Sequence, residues 1–200
     1  GIPVLHQPHF CQYLGIFSQN LLNFSDTTAF IRAVWNKFSY ISAYSFHPLN
    51  QRIVGQTLKE LSTIRYSVHQ TVWLPIHSVT KLAYSKDRRN NLKRAERHNW
   101  ELVRGLEIDT LLELFKENHT LQIDGGVSEK SYKIISKLWS ELNDRQSADL
   151  LYARLKEKVQ AGILLFQDGP MVIYIFNAAT KNGRDGNART WLLHRYFESK

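Results

Sequence analysis

Met171–Lys200 reads MVIYIFNAATKNGRDGNARTWLLHRYFESK, and it decides how the rest of the chain is understood. It opens on MVIYIFN (171–177), the most apolar run in the chain. β-branched and aromatic residues dominate that run, so it reads as a strand. Gln167-Asp168-Gly169-Pro170 stands before it, and the Asp-Gly step signals a hairpin whose other strand is Ala161–Phe166. The segment closes on a helix, ARTWLLHRYFESK. Between strand and helix lies a loop, AATKNGRDGNA, containing Gly183-Arg184-Asp185-Gly186-Asn187-Ala188. Small residues there let backbone approach a ligand closely, and the helix behind them offers free N–H groups to a phosphate. Arg184 adds a positive charge. A plain connecting loop accounts for the same residues equally well.

Upstream, Ala148–Leu155 reads as a further strand. SEKSYKIISKLWSELND (128–144) reads as a helix capped by Ser128, with Tyr132, Ile135, Leu138 and Trp139 inward on the three-four spacing. Gly125-Gly126 interrupts the chain. Ile108–Asn118 reads as a helix with Leu111, Leu114 and Phe115 inward, and Trp100–Arg104 as a short strand. The order of this half is therefore β-α-α-β-β-β-α.

Before it stands KLAYSKDRRNNLKRAERH (81–98), with seven cations against Asp87 and Glu96. That stretch holds more than half of the formal +8 of the chain. Without Gly or Pro, and rich in Leu, Ala, Lys and Arg, it is expected to be helical. Arg89, Lys93 and Arg97 fall on one face at i, i+4 and i+8. Arg88 and Arg89 follow Ser85 near the start, where cations oppose the helix dipole. Arg88, Arg89, Lys93, Arg94 and Arg97 are therefore candidates for binding RNA or another anion, against the plainer reading of a solvated face.

The opening segment, GIPVLHQPHFCQYLGIFSQNLLNF, is broken by Pro3, Pro8 and Gly15 and reads as extended and partly buried. His6, His9 and Cys11 lack a fourth ligand at suitable spacing, so no metal site is assigned. Ser25-Asp26-Thr27 reads as an N-cap for a helix to Phe38, with Phe30, Val34 and Phe38 on one face and Ile31 and Trp35 beside them. Tyr40–Phe46 reads as a strand and His47–Asn50 as a turn. Ile64–Ile76 reads as a strand or bent pair ending at Pro75. A single cysteine excludes an internal disulfide framework and fits a reducing compartment. No run has the length of a transmembrane helix, and no signal peptide opens the chain.

The β-α-α-β-β-β-α series with a glycine loop before its last helix resembles the GNAT acyltransferase fold. In that superfamily an R/Q-x-x-G-x-G/A loop holds the pyrophosphate of an acyl-coenzyme A donor. Gly186 and Ala188 match that pattern, while Gly183 stands where the family has Arg or Gln. The resemblance thus marks Gly183, Arg184, Gly186, Asn187 and Ala188 as donor-phosphate residues. With the basic stretch added, the chain resembles the Fem-type aminoacyltransferases and their GNAT-like relatives. The matching positions are Ser85, Arg88, Arg89, Asn90, Lys93 and Ala95, together with the run from Gln7 to Phe17.

These resemblances imply an α/β (α+β) protein with a GNAT-like mixed sheet flanked by helices in two lobes, both incomplete in this chain. The expected division is a partial first lobe at 1–80, a basic connecting helix at 81–98 and a second lobe at 99–200. They imply a cytoplasmic bacterial enzyme moving an acyl or aminoacyl group to an amine, with a muropeptide precursor of peptidoglycan as acceptor. The donor would be acyl-coenzyme A or aminoacyl-tRNA, with no tightly bound cofactor. On such a scaffold a backbone N–H of Met171–Asn177 would hold the carbonyl oxygen. Tyr174 could donate a proton or only pack, Asn177 is a polar candidate that could equally cap the loop, and His194 reads as surface or packing, so no side chain is assigned to catalysis. Two other readings stay open: a nucleic-acid-binding or anion-binding module without chemistry, and a pseudo-enzyme of the same fold.

Overall fold

The computed structural model describes residues 1–61, 64–72, 74, 84–105 and 107–200. The chain divides into two compact units, Gly1–Leu74 and Pro75–Lys200. Among the described residues no helix is long and apolar enough to cross a membrane.

The first unit runs β1 (Val4–Leu5), α1 (Phe24–Lys37), β2 (Tyr40–Ile41), a 3-10 turn at Pro48–Asn50 and α2 (Gln51–Glu60). β1 and β2 pair in parallel, and Leu14 bridges to Phe46. The expected strand at Tyr40–Phe46 thus shrinks to β2 and that bridge. Asn23, not Ser25–Thr27, caps α1, and its side chain accepts the Asp26 N–H at 2.9 Å. The helix consequently starts earlier and places Asp26 in its first turn, where a carboxylate suits the dipole. Thr27 and Ile31 are buried, whereas Trp35 is exposed.

α2 was not expected, because Gly55 and the β-branched Ile53, Val54 and Thr57 weaken its helical signature. Among the described residues of Ile64–Ile76, none lies in a strand, since alternation without a pairing partner makes no ladder. Trp73, Pro75 and Ile76 lie outside the described residues, as do Lys81, Leu82 and Ala83.

The second unit holds α3 (Lys86–Glu96), β3 (Glu101–Arg104), α4 (Asp109–Asn118), a 3-10 turn at Thr120–Gln122, α5 (Glu129–Asp144), β4 (Ala148–Leu155), β5 (Lys158–Asp168), β6 (Met171–Ala179), α6 (Lys181–Asp185) and α7 (Ala188–Glu198). Four strands form one antiparallel sheet in the order β3-β4-β5-β6. Alternate side chains Leu151 and Ala153, and Ala161, Ile163 and Leu165, face α7 and bury Trp191, Leu192 and Tyr196. α3 lies on the outside of α7 and adds Leu92 and Ala95 to that cluster. The opposite face is covered by α4 and α5, and there Phe115 meets Phe176 with ring centroids 4.7 Å apart. Leu138, expected inward on α5, is 41% exposed, and Ser131 takes a buried position on the helix instead.

Two irregularities bend the sheet where function is expected. Register shifts between Ala153 and Arg154, leaving Gln160 as an extra residue in β5. It shifts again between Leu164 and Leu165, leaving Ile175 extra in β6. A bulge reverses which face later side chains occupy. Val172 and Tyr174 consequently join the α7 side although Phe176 and Ala178 do not.

Candidate functional site

The site grows from the end of β6. Thr180 donates its backbone N–H to the Gln160 carbonyl at 2.9 Å, inward across the β5–β6 pair. Ala179, one residue earlier, turns outward and donates its N–H to His119 Nε2 at 3.2 Å. Antiparallel strands alternate in this way, so Asn177 presents its N–H and carbonyl to the same open edge. The Asn177 side chain is fixed by Arg189, whose guanidinium donates to Oδ1 at 2.6 Å. Tyr174 sits on the same side of β6. Burial pushes its phenol up to about 12, opposed by the Arg189 charge, so it keeps its proton at neutral pH.

His119 follows α4 and stacks near Phe115, ring centroids 5.4 Å apart. Burial, then the charges of Arg184 and Arg189, holds its imidazole below the ordinary histidine value. The neutral ring is what the hydrogen bond requires, since Nε2 must accept. The remaining proton is therefore on Nδ1.

The expected loop at 178–188 is shorter than the sequence suggested, because β6 runs on to Ala179 and α6 forms within it. Thr180 caps α6, and its hydroxyl accepts the Gly183 N–H at 2.9 Å. Gly183 is buried against the β5 bulge, and a Cβ there would stand 2.0 Å from the Gln160 carbonyl oxygen. Gly186 lies under the indole of Trp100, where a Cβ would stand 2.5 Å from Cζ2. The Trp100 indole N–H donates to the Gly186 carbonyl at 3.3 Å, and His98 stacks on it at 5.1 Å. Both glycines thus admit protein atoms at close range. The Arg184 guanidinium donates to the Ala179 carbonyl at 2.7 Å.

Asn187 adopts φ 54°, left-handed backbone that Asn tolerates. α7 then starts at Ala188, and its first ladder bond runs from the Trp191 N–H to the Asn187 carbonyl. Helix geometry leaves the N–H groups of Ala188, Arg189 and Thr190 outside the ladder, on the turn whose Arg189 reaches Asn177 of β6. Of the basic-helix candidates, Arg88 reaches this place: Nη1 donates to Thr190 Oγ1 at 3.2 Å. Arg89, Lys93, Arg94 and Arg97 are exposed on α3. His194 lies apart from β6, between the Tyr84 hydroxyl at 3.1 Å and Glu198 at 3.3 Å.

Sequence reasoning placed the strand, the glycines and the following helix, and it missed His119 and Gln160. Neither sits in a local motif, and only the fold brings them to residues 177–183. Among the described residues no group of three or more His, Cys, Asp or Glu is gathered as for a metal ion. His6 bonds instead to Ser42 at 2.8 Å, and the Cys11 thiol donates to the Tyr13 carbonyl.

No curated protein matches the chain. A family model described as the acetyltransferase (GNAT) domain matches residues 86–199, more than half of its length. That match takes in the whole four-stranded sheet and the helices on both of its faces, and on it the chain belongs to the GNAT acetyltransferase-domain family.

Proposed function

We propose that the second unit is an N-acyltransferase that joins donor and amine at the open edge of β6. The observation that carries this reading is the outward turn of the β6 edge beside the free amides of α7. The amine attacks the donor carbonyl, and its lone pair forms the new C–N bond. The Asn177 N–H supports the oxygen as it gains negative charge. The C–S or C–O bond to the donor then breaks, and the amine proton leaves with the thiolate or alkoxide. Tyr174, protonated at neutral pH, is the nearest side-chain acid on β6 for that last transfer.

Phosphates of the donor would rest on the N–H groups of Ala188, Arg189 and Thr190, with Gly183, Arg184, Gly186 and Asn187 shaping the approach. In the finer reading the protein is a Fem-type bacterial enzyme of the cytoplasm. It would add an acyl or aminoacyl group to a muropeptide precursor of peptidoglycan, from acyl-coenzyme A or aminoacyl-tRNA. The resemblance at Ser85, Arg88, Arg89, Asn90, Lys93 and Ala95 supports that reading.

Calorimetric titration of acetyl-coenzyme A, and separately of aminoacyl-tRNA, tests it. Saturable binding of one donor is expected. Binding of neither donor would overturn the proposal, and binding without transfer to any amine would favour a non-catalytic protein of the same fold.

A further inference from the structure

The end of β6 gathers groups that hold protons rather than take them. A carboxylate, an imidazole or a phenolate can relieve an ammonium of its proton near neutral pH, whereas amide and hydroxyl oxygens are far too weak as bases. The imidazole here is His119, and its Nε2 lone pair is already spent on the Ala179 N–H at 3.2 Å. Its Nδ1 carries the ring proton. The phenol is Tyr174, which keeps its proton at neutral pH. β6 itself has no carboxylate. On α6 Asp185 pairs with Lys181 at 3.0 Å, and Glu198, at the far end of α7, pairs with His194 and Arg195. Glu117, on the last turn of α4, is exposed. The charges that bear on His119 are the guanidiniums of Arg184 and Arg189, and Arg189 acts on Tyr174 as well. Both arginines are half-buried, and among the described residues neither has a carboxylate partner. Each spends an N–H on an uncharged oxygen, Arg184 on the Ala179 carbonyl and Arg189 on Asn177 Oδ1. The field at this edge is thus positive, and its imidazole and phenol are both committed.

We propose that the acceptor arrives at this edge as a neutral amine, and that its class is the peptide α-amino group rather than the alkylammonium of a lysine side chain. The proposal rests on the reading of β6 as the acyl-transfer edge and narrows its acceptor. An α-amino group has an ordinary value of about 7.7–8.0, and a lysine ε-amino group about 10.4. At pH 7 the neutral share of the first exceeds that of the second roughly 300-fold. The two guanidiniums widen the gap, because a cation entering their half-buried field is repelled with less screening than in water and a neutral nitrogen is not. A neutral amine brings its own lone pair to the donor carbonyl carbon and needs no proton removed first. The C–N bond forms, the C–S or C–O bond breaks, and the proton shed by the new amide nitrogen ends on the thiolate or alkoxide. A lysine ammonium would first need a base, and His119 and Tyr174 offer none.

Two acceptor peptides test it on the full chain with acetyl-coenzyme A as donor. One is trialanine amide with a free amino terminus, and the other an N-acetylated Ala-Lys-Ala amide whose lysine is its single amine. Aminoacyl-tRNA serves as donor in a second series at pH 7. The kcat/KM for each acceptor is followed by mass spectrometry between about pH 6 and 9, with uncatalysed aminolysis subtracted. At pH 7 trialanine amide is expected to be the better acceptor by roughly 50-fold, since the stronger nucleophilicity of the lysine nitrogen returns part of the gap. Its profile should climb with unit slope and level at about pH 8, the ordinary value of its own amine, while the lysine profile is still climbing at about pH 9. H119Q removes the imidazole yet keeps an acceptor for the Ala179 N–H, and the break in the trialanine profile should stay at the same pH. A break common to both peptides marks a base on the protein and overturns the proposal, as does a break that moves in H119Q or in E117Q. Lysine taken as well as trialanine at pH 7 also overturns it and leaves acyl transfer standing. Transfer to neither peptide from either donor removes the acyl-transfer reading itself, and this proposal with it.

Discussion

Behind α7 the second unit gathers thirteen buried side chains in one cluster, from Leu92 to Tyr196, while the described cluster of the first unit has three, Ile16, Ile31 and Val54. The surfaces differ in the same sense, since Phe17, Leu21, Val68 and Val72 of the first unit are each more than 70% exposed. What the first unit lacks in apolar burial it replaces with side-chain amides that stand in for backbone. Asn50 accepts the Ile16 N–H and donates to the Ile16 carbonyl, both at 3.0 Å. Gln7 donates to the carbonyls of Cys11 and Gln12 and accepts the Ser45 N–H. In the second unit the strands satisfy one another along the sheet, and side chains take over at the end of β6, where His119 accepts the Ala179 N–H and Arg184 donates to the Ala179 carbonyl. Close packing around that sheet leaves β6 and α7 one arrangement.

The sharpest way to break the contrast is Leu192→Ala. Leu192 is fully buried, so its truncation should cost about 2–5 kcal/mol. Hydrogen exchange should show that loss in β4, β5 and α7. Exchange unchanged there would mean that the cluster behind α7 does not stabilise the sheet. Next in size is Asn50→Ala, which leaves the Ile16 N–H and carbonyl unpaired at a buried place. A loss of about 1–3 kcal/mol is expected, read as faster exchange at Ile16 and around α2. If Asn50→Ala exchanges like wild type, the amide is not holding the first unit together.

The smallest effect concerns His119. Its folded-state value lies below the ordinary one, so the unfolded chain takes up the proton first as pH falls. The stabilisation is complete above the unfolded value of about 6.5 and is lost as pH drops through it toward the folded value. Thermal melts between pH 8 and 5 should show that decline, and His119→Gln should flatten it. Parallel profiles for the two proteins would remove the imidazole from the support of the β6 edge.

Much of the second unit was legible because its signals are local. Ser128 precedes α5 and caps it as expected, accepting the Ser131 N–H. The Asp168-Gly169 step turns β5 into β6, with Asp168 paired to Met171. By contrast the β4–β5 turn carries Lys156 and Glu157, both at positive φ without a glycine, and nothing in those residue types announces it. In the first unit the same reading found α1 and missed α2. There the expected strand at Tyr40–Phe46 keeps only its first two residues, paired with β1, and a bridge at Phe46, while none of the described residues of 64–76 lies in a strand.

The residues by themselves determined most of the element order of the second unit, the cationic character of α3 and the apolar run of β6, because propensity, periodicity and charge are properties of neighbours along the chain. Only the tertiary structure decided that Gly183 is required by the carbonyl of Gln160 and that His119 holds the last outward amide of β6. Each of those depends on atoms from distant segments meeting within a few ångströms, and no pattern within a single stretch carries that information.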